Sequence, residues 1–175
     1  MDQSIIPECF VDTNLVETLV PPQGQYNHQK GCGTVTKVMK EKFANRFALG
    51  IIDKDKYKMD YLKEFDEICT NGSLILHKHP ARHHYIIQIN PAMERFILKN
   101  AETVGVSLQA FDLPTDFELL KKESKTVNSK NDLRFRKLFK SLNHHGAPEI
   151  IKLSIWISYL KKENYLADLD VLQAL

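Results

Sequence analysis

An apolar run closes on two aspartates in FALGIIDKDK, residues 47–56, and those carboxylates are the chemistry this chain offers most plainly. In an extended backbone, side chains two apart project from one face, so Asp53 and Asp55 can converge on a single point. Two carboxylates held that way repel each other unless a cation or solvent intervenes. A divalent ion such as Mg²⁺ (or Mn²⁺) suits the pair, because it prefers oxygen ligands and keeps several of its own waters. An exposed turn would account for the pair equally well. A second acid, Asp12, stands in CFVDTN at 9–14, which reads as a short buried strand ending in polar residues. Glu17 follows a little further on.

Positioning these acids requires strands that end at a common edge. Phe47 to Ile52 is the clearest strand, and SLILHKH and HHYIIQI are two more candidates. Between the acids, GCGTVTKVMKEKFANRF places Val35, Val38, Met39 and Phe43 at helical spacing behind a turn carrying Gly31 and Gly33. KYKMDYLKEFDEI sets Tyr61, Leu62, Phe65 and Ile68 on one helical face. Asn90 and Pro91 read as the cap and first turn of a helix with Met93, Phe96 and Ile97 on its apolar side, and Gly105 helps to end that segment. From residue 116 onward the pattern is helical, with the best segments at 131–143 and 148–163. Strands alternating with helices predict an α/β fold: a small, mostly parallel sheet flanked by helices over 1–105, with an α-helical C-terminal extension, 106–175, packed on it. Ligands of such sheets bind beyond the carboxyl ends of the strands, where Asp12 and Asp53 are expected.

Bulk properties narrow the class. A chain of 175 residues, 43% hydrophobic and 26% charged, can bury one ordinary core. No apolar stretch approaches the ~20 residues that span a bilayer, and the start Met-Asp-Gln-Ser lacks the regions of a signal peptide, so a cytoplasmic protein without a membrane role is expected. Cys9, Cys32 and Cys69 are odd in number and lack CxxC spacing, which speaks against a disulfide framework or a thiolate zinc site. The net charge is +2, but residues 121–140 hold eight Lys or Arg against two acids, which leaves the rest of the chain at about −4. Lys121, Lys122, Arg134, Arg136, Lys137 and Lys140 in that run, and Lys56 beside the acid pair, are candidates for phosphate contact; a solvated helix face is the plain alternative.

Taken in order, FVDTNLVETL, KGCGTVTKVM and LGIIDKDK resemble the TOPRIM domain, closest to the TOPRIM domains of OLD-like nucleases. That family carries an acid after its first strand, a DxD motif after a later one, and often a glycine-bearing turn before the intervening helix. Asp53 and Asp55 match the DxD, Asp12 falls where the family has glutamate, and Gly31 and Gly33 supply the turn. QINPAMERFIL resembles a further family segment and makes Glu94 an accessory acid. The resemblance covers about residues 9–105. It implies a metal-dependent nucleic-acid phosphodiester hydrolase, in phage defence or DNA maintenance. Asp53 and Asp55, with Asp12, would hold Mg²⁺ or Mn²⁺, and Asp12 would be the acid/base with Glu17 to compensate for its shorter reach. A partner ATPase is common beside OLD-like domains; a homo-oligomer through the helical tail is the other association expected.

Other readings stay open. A degenerate TOPRIM-like module could bind a partner protein or nucleic acid with the acids idle. FVDTN also looks like the opening motif of PIN-domain ribonucleases, although later acids of that family have no evident match. His77, His79, His83 and His84 could gather zinc, or contact phosphate, or simply line a turn. GCGTV could cradle a phosphate, yet it lacks the lysine of a P-loop and the third glycine of a dinucleotide fingerprint.

Overall fold

The computed structural model describes residues 2–54 and 60–175. Its centre is a five-stranded sheet of β1 (Ile5–Pro7), β2 (Ala48–Asp53), β3 (Asp66–Asn71), β4 (Leu74–Lys78) and β5 (His84–Ile89), in the order β1-β2-β5-β4-β3. β1 and β5 flank β2 in parallel, with Pro7 opposite Ile51 and Asp53 opposite Ile89. β4 runs antiparallel to β5, and β3 antiparallel to β4. The α/β class holds. The sheet is mixed, however, not mostly parallel, because β3 to β5 form a meander on one side.

Three local expectations change with it. CFVDTN is not a strand: β1 lies earlier, and residues Phe10–Leu19 form helix α1. Val11, Leu15 and Val16 are buried there at helical spacing, a period that the six-residue reading was too short to show. Residues 61–68 are not one helix. Tyr61–Glu64 is a single tight turn, and the chain then extends into β3. Gly72-Ser73 closes the β3–β4 hairpin, with Gly72 at φ +59°, a backbone that L side chains rarely adopt. The helix after β5 starts later than Asn90 and Pro91 suggest: Ala92 is its N-terminal boundary, with no side-chain cap.

Helix α2 (Cys32–Lys42) lies on one face of the sheet, where Val35, Val38 and Met39 join Ala48, Ile52 and Ile86. The other face is covered by α1, α3 (Met93–Thr103), α5 (Leu133–His144) and α6 (Pro148–Glu163). There Leu49, Ile51, Tyr85 and Ile87 share one continuous core with Phe135, Phe139, Leu153, Trp156 and Ile157. The helical residues after 105 therefore complete the hydrophobic core of the sheet. Two short helices, α4 (Phe117–Ser124) and α7 (Leu169–Ala174), are capped by Asp116 and Asp168, whose carboxylates accept backbone N–H bonds.

One polar staple ties the tail to the hairpin. Glu149, in the first turn of α6, accepts from Ser73 N at 3.1 Å, Lys99 Nζ at 2.6 Å and Asn100 Nδ2 at 3.4 Å. A methyl group on Gly72 would come within 1.8 Å of Glu149 Oε1. Gly72→Ala therefore meets both a disfavoured φ and a pinned carboxylate, and Glu149→Ala removes the acceptor that these three donors share, leaving Lys99 only Ser73 Oγ and Asn100 only Phe96 O among the described residues. Each is expected to cost about 2 kcal/mol, lowering the melting temperature by about 4–8 °C in thermal unfolding. Loss of less than a degree in both would show that hairpin and tail are held together elsewhere.

A buried acidic cluster as candidate active site

Because β1 and β2 are parallel neighbours, their carboxyl ends deliver side chains to the same edge. The chain leaves β1 at Pro7, and Glu8 is the next residue. Its N–H donates to Ile51 O at 2.9 Å, and its Oε2 accepts from Asp53 N, also at 2.9 Å. Glu8 is thus fixed across the end of β2. One turn on, in the first turn of α1, Asp12 is wholly buried at 0% exposure. The Cys9 thiol donates to Asp12 Oδ1 at 2.8 Å. Asp53 receives the backbone N–H of Met93 at the start of α3. The next residue, Glu94, is buried and accepts the Ser124 hydroxyl proton at 2.6 Å.

Four carboxylates from β1, α1, β2 and α3 consequently act on one another. Burial raises Asp12 to about 7, with the charges of Glu8 and Glu94 adding to the effect against the stabilising bond from Cys9. Asp53 is pushed up to about 9, first by burial, then by Asp12, Glu8 and Glu94. The Cys9 thiol is held far above its ordinary range by burial and by Asp12, so it stays a donor. Asp12 Oδ2 and Asp53 Oδ1 are buried without a hydrogen-bond partner among the described residues. Among those residues no three acid, histidine or cysteine side chains are placed so that they could hold a metal ion. Asp55, the second acid of the DxD, and Lys56 lie outside the described residues.

The expected residues separate accordingly. Asp12, Asp53 and Glu94 lie near enough for the charge of Glu94 to be felt at both aspartates. Glu17 does not join them: five residues along a helix turn a side chain by about 140°, and its charge is felt at Tyr26 instead. Gly31, at φ +84°, makes the turn into α2, and Gly33 sits in that helix's first turn, on the other face of the sheet. In the basic run, Lys121 and Lys122 lie on α4, while Arg136, Lys137 and Lys140 lie on α5, where Lys137 and Lys140 are exposed. Arg134 is spent: its guanidinium binds Asp132 at 2.7 Å and Glu123 at 2.6 Å, and donates to Asp112 O. The histidines of HKHPARHH disperse into structural roles. His84 Nε2–H donates to Phe43 O while Nδ1 accepts the Tyr61 hydroxyl at 2.6 Å, and His79 bridges Ala81 N and Glu64.

The acid that sequence reasoning missed is Glu8. Its signal was present in the β-branched pair of IIPE, a strand too short to stand out beside CFVDTN. Placement of β1 at Ile5–Pro7 makes Glu8, not Asp12, the acid that directly follows the first strand. Set against protein-family models, curated proteins and solved structures, the chain gives no significant match.

Proposed function

We propose that this chain is a metal-dependent hydrolase of nucleic-acid phosphodiesters, of the TOPRIM type. The observation that carries the reading is the pair of buried, unpartnered carboxylate oxygens on Asp12 and Asp53, gathered with Glu8 and Glu94 at the carboxyl ends of parallel strands. Burying several carboxylates without counter-charge costs several kcal/mol, a cost that purely structural residues avoid. An all-carboxylate set with two open oxygens fits a hard divalent cation such as Mg²⁺ or Mn²⁺. Asp53 and Asp12 would hold it, with Asp55 as the second acid of the motif. Such an ion supplies charge neutralisation on the phosphoryl oxygens and on the departing alkoxide.

The protein groups divide the remaining work by exposure. Asp12 is sealed from solvent, so its part is to hold charge and to orient Cys9 and its neighbours. Glu8 is only partly buried and its carboxylate is aimed by Asp53 N–H, which makes it the group for proton exchange with a substrate oxygen. The helix start at Met93 and Glu94 backs Asp53 from the far side. Glu8→Gln keeps the shape and the bond to Asp53 N but removes the proton-exchanging group. It is expected to slow cleavage of labelled DNA or RNA in Mg²⁺ or Mn²⁺ by about a hundredfold or more, with metal binding largely kept. Wild-type protein inert with every metal and substrate would sink the hydrolase.

One observation favours association as a second activity. Leu166, 82% exposed, stands with exposed Tyr165, Leu169, Val171 and Leu175 at the end of the helical tail. Self-association, or docking of a partner ATPase, would use that end, and phage defence or DNA maintenance is the setting the resemblance suggests. No helix among the described residues is long and apolar enough to cross a membrane. The PIN-like alternative loses ground, because Thr13 and Asn14 of DTN bind Cys9 O, Ser129 O and Asp132 O as fasteners of α1.

A further inference from the structure

Two partly exposed aromatic rings, each carrying cations, belong to or pack on the elements that bring the acids. Phe10 opens α1 between Glu8 and Asp12; His28 stacks on it at 4.3 Å, and Lys30 Nζ lies 5.4 Å from its ring centre. On α3, Arg95 directly follows Glu94, and its guanidinium carbon sits 4.2 Å from the ring centre of Phe117, with Lys121 Nζ at 5.6 Å. Lys30 and Arg95 are exposed. Arg95 directly follows the buried Glu94, yet it, Lys30 and Lys121 form no ion pair among the described residues. Cation–ring contacts alone would be modest surface staples. Repetition of the same pairing beside two of the acid-bearing elements, with no ion pair among the described residues to neutralise the charge, needs a further reason.

Any polyanion approaching four carboxylates is repelled unless nearby cations take its phosphates first. Interleaved aromatic and cationic side chains are what a single strand requires, since they offer ring surface to bases and charge to the backbone. A duplex keeps its bases stacked and would make little use of the rings.

We propose that a single nucleic-acid strand crosses the acidic cluster, gripped on one side by Phe10 and Lys30 and on the other by Phe117 and Arg95. This assignment rests on the hydrolase reading for its purpose, although strand binding can be measured without cleavage. Fluorescence anisotropy of a labelled oligothymidine, and of a duplex of equal length, against the full chain in Ca²⁺ provides the test. Lys30→Glu and Arg95→Glu, both at exposed positions, are each expected to weaken single-strand binding by about tenfold. Lys42→Glu, on α2 across the sheet, should change it less than about twofold, because a charge that remote is largely screened. Phe10→Ala should weaken the single strand more than the duplex. Tighter binding of duplex, no binding of the single strand, or equal losses at Lys42 and Lys30 would overturn the assignment. A chain that grips the strand through these residues but never cleaves would keep the assignment and remove the hydrolase. Cleavage whose KM is unmoved by Lys30→Glu and Arg95→Glu would do the reverse.

Discussion

Asp53→Asn is expected to abolish metal-dependent cleavage, by a thousandfold or more on the order of a lost ion, while making the metal-free protein more stable. The two effects have one cause. Asp53 is buried among Asp12, Glu8 and Glu94, and one of its oxygens has no partner among the described residues. An amide keeps the size and still accepts the Met93 N–H, but it needs no proton to be held in that company, whereas the aspartate, raised to about 9, must take one up on folding at neutral pH. Sparing that proton uptake is worth about 1–3 kcal/mol, or a melting temperature higher by about 4–8 °C near the middle of that range. Thermal unfolding in EDTA and a cleavage assay in Mg²⁺ read the two halves separately. A variant that melts lower than wild type and still cleaves would take Asp53 out of the site.

The second large effect is a pH dependence with a defined sign. Asp12 and Asp53 are raised in the folded chain, to about 7 and about 9, whereas an unfolded aspartate titrates near ~3.9. Between those values the folded state binds more protons than the unfolded one, so this contribution to stability is full below about pH 4 and is lost as pH rises toward 9. Burial holds His28, His77 and His84 below the ordinary imidazole value, which works in the opposite direction on the acid side only. Metal-free protein should therefore melt progressively lower as pH rises from 7 to 9. A divalent cation bound at the proposed site would displace the protons, so its stabilisation should grow over the same range. At a hundredfold excess over its dissociation constant the gain is about 2.7 kcal/mol, or about 5–11 °C. Differential scanning fluorimetry with EDTA and with Mg²⁺ across pH 6–9 measures this, and Asp53→Asn should flatten both trends. A melting temperature that rises steadily with pH in EDTA would contradict the buried-acid account.

Much of this molecule is written locally. Val35, Val38 and Met39 announce α2 because one helical face is enough to bury them, and the structure places Cys32–Lys42 there. The strand ending at Asp53 is equally plain, since Leu49, Ile51 and Ile52 can only be an interior run. The same holds for α5 and α6, whose bounds fall within two residues of the segments read from spacing and from the break at HHGAP. Asp53 as the centre of the candidate site needed no tertiary information. Glu94 was marked only by a resemblance, and Asp12 was chosen for the wrong local reason.

What the sequence could not decide is who stands beside whom. A strand as short as Ile5–Pro7 has no periodicity of its own; it exists because β2 supplies its hydrogen bonds, and that pairing turns Glu8 into the acid at the strand end. The same holds for β3, whose alternation is weak and whose identity comes from the Gly72-Ser73 turn and the ladder to β4. Whether β4 and β5 run together or opposed depends on the connection 79–83, too short for a parallel crossover. Proton affinity is the furthest from sequence: Asp12 and Asp53 are ordinary aspartates until four separate elements close around them. Local residue types determined that an acid ends a buried strand. Burial and mutual repulsion, which only the folded chain creates, decided how firmly Asp12 and Asp53 hold their protons.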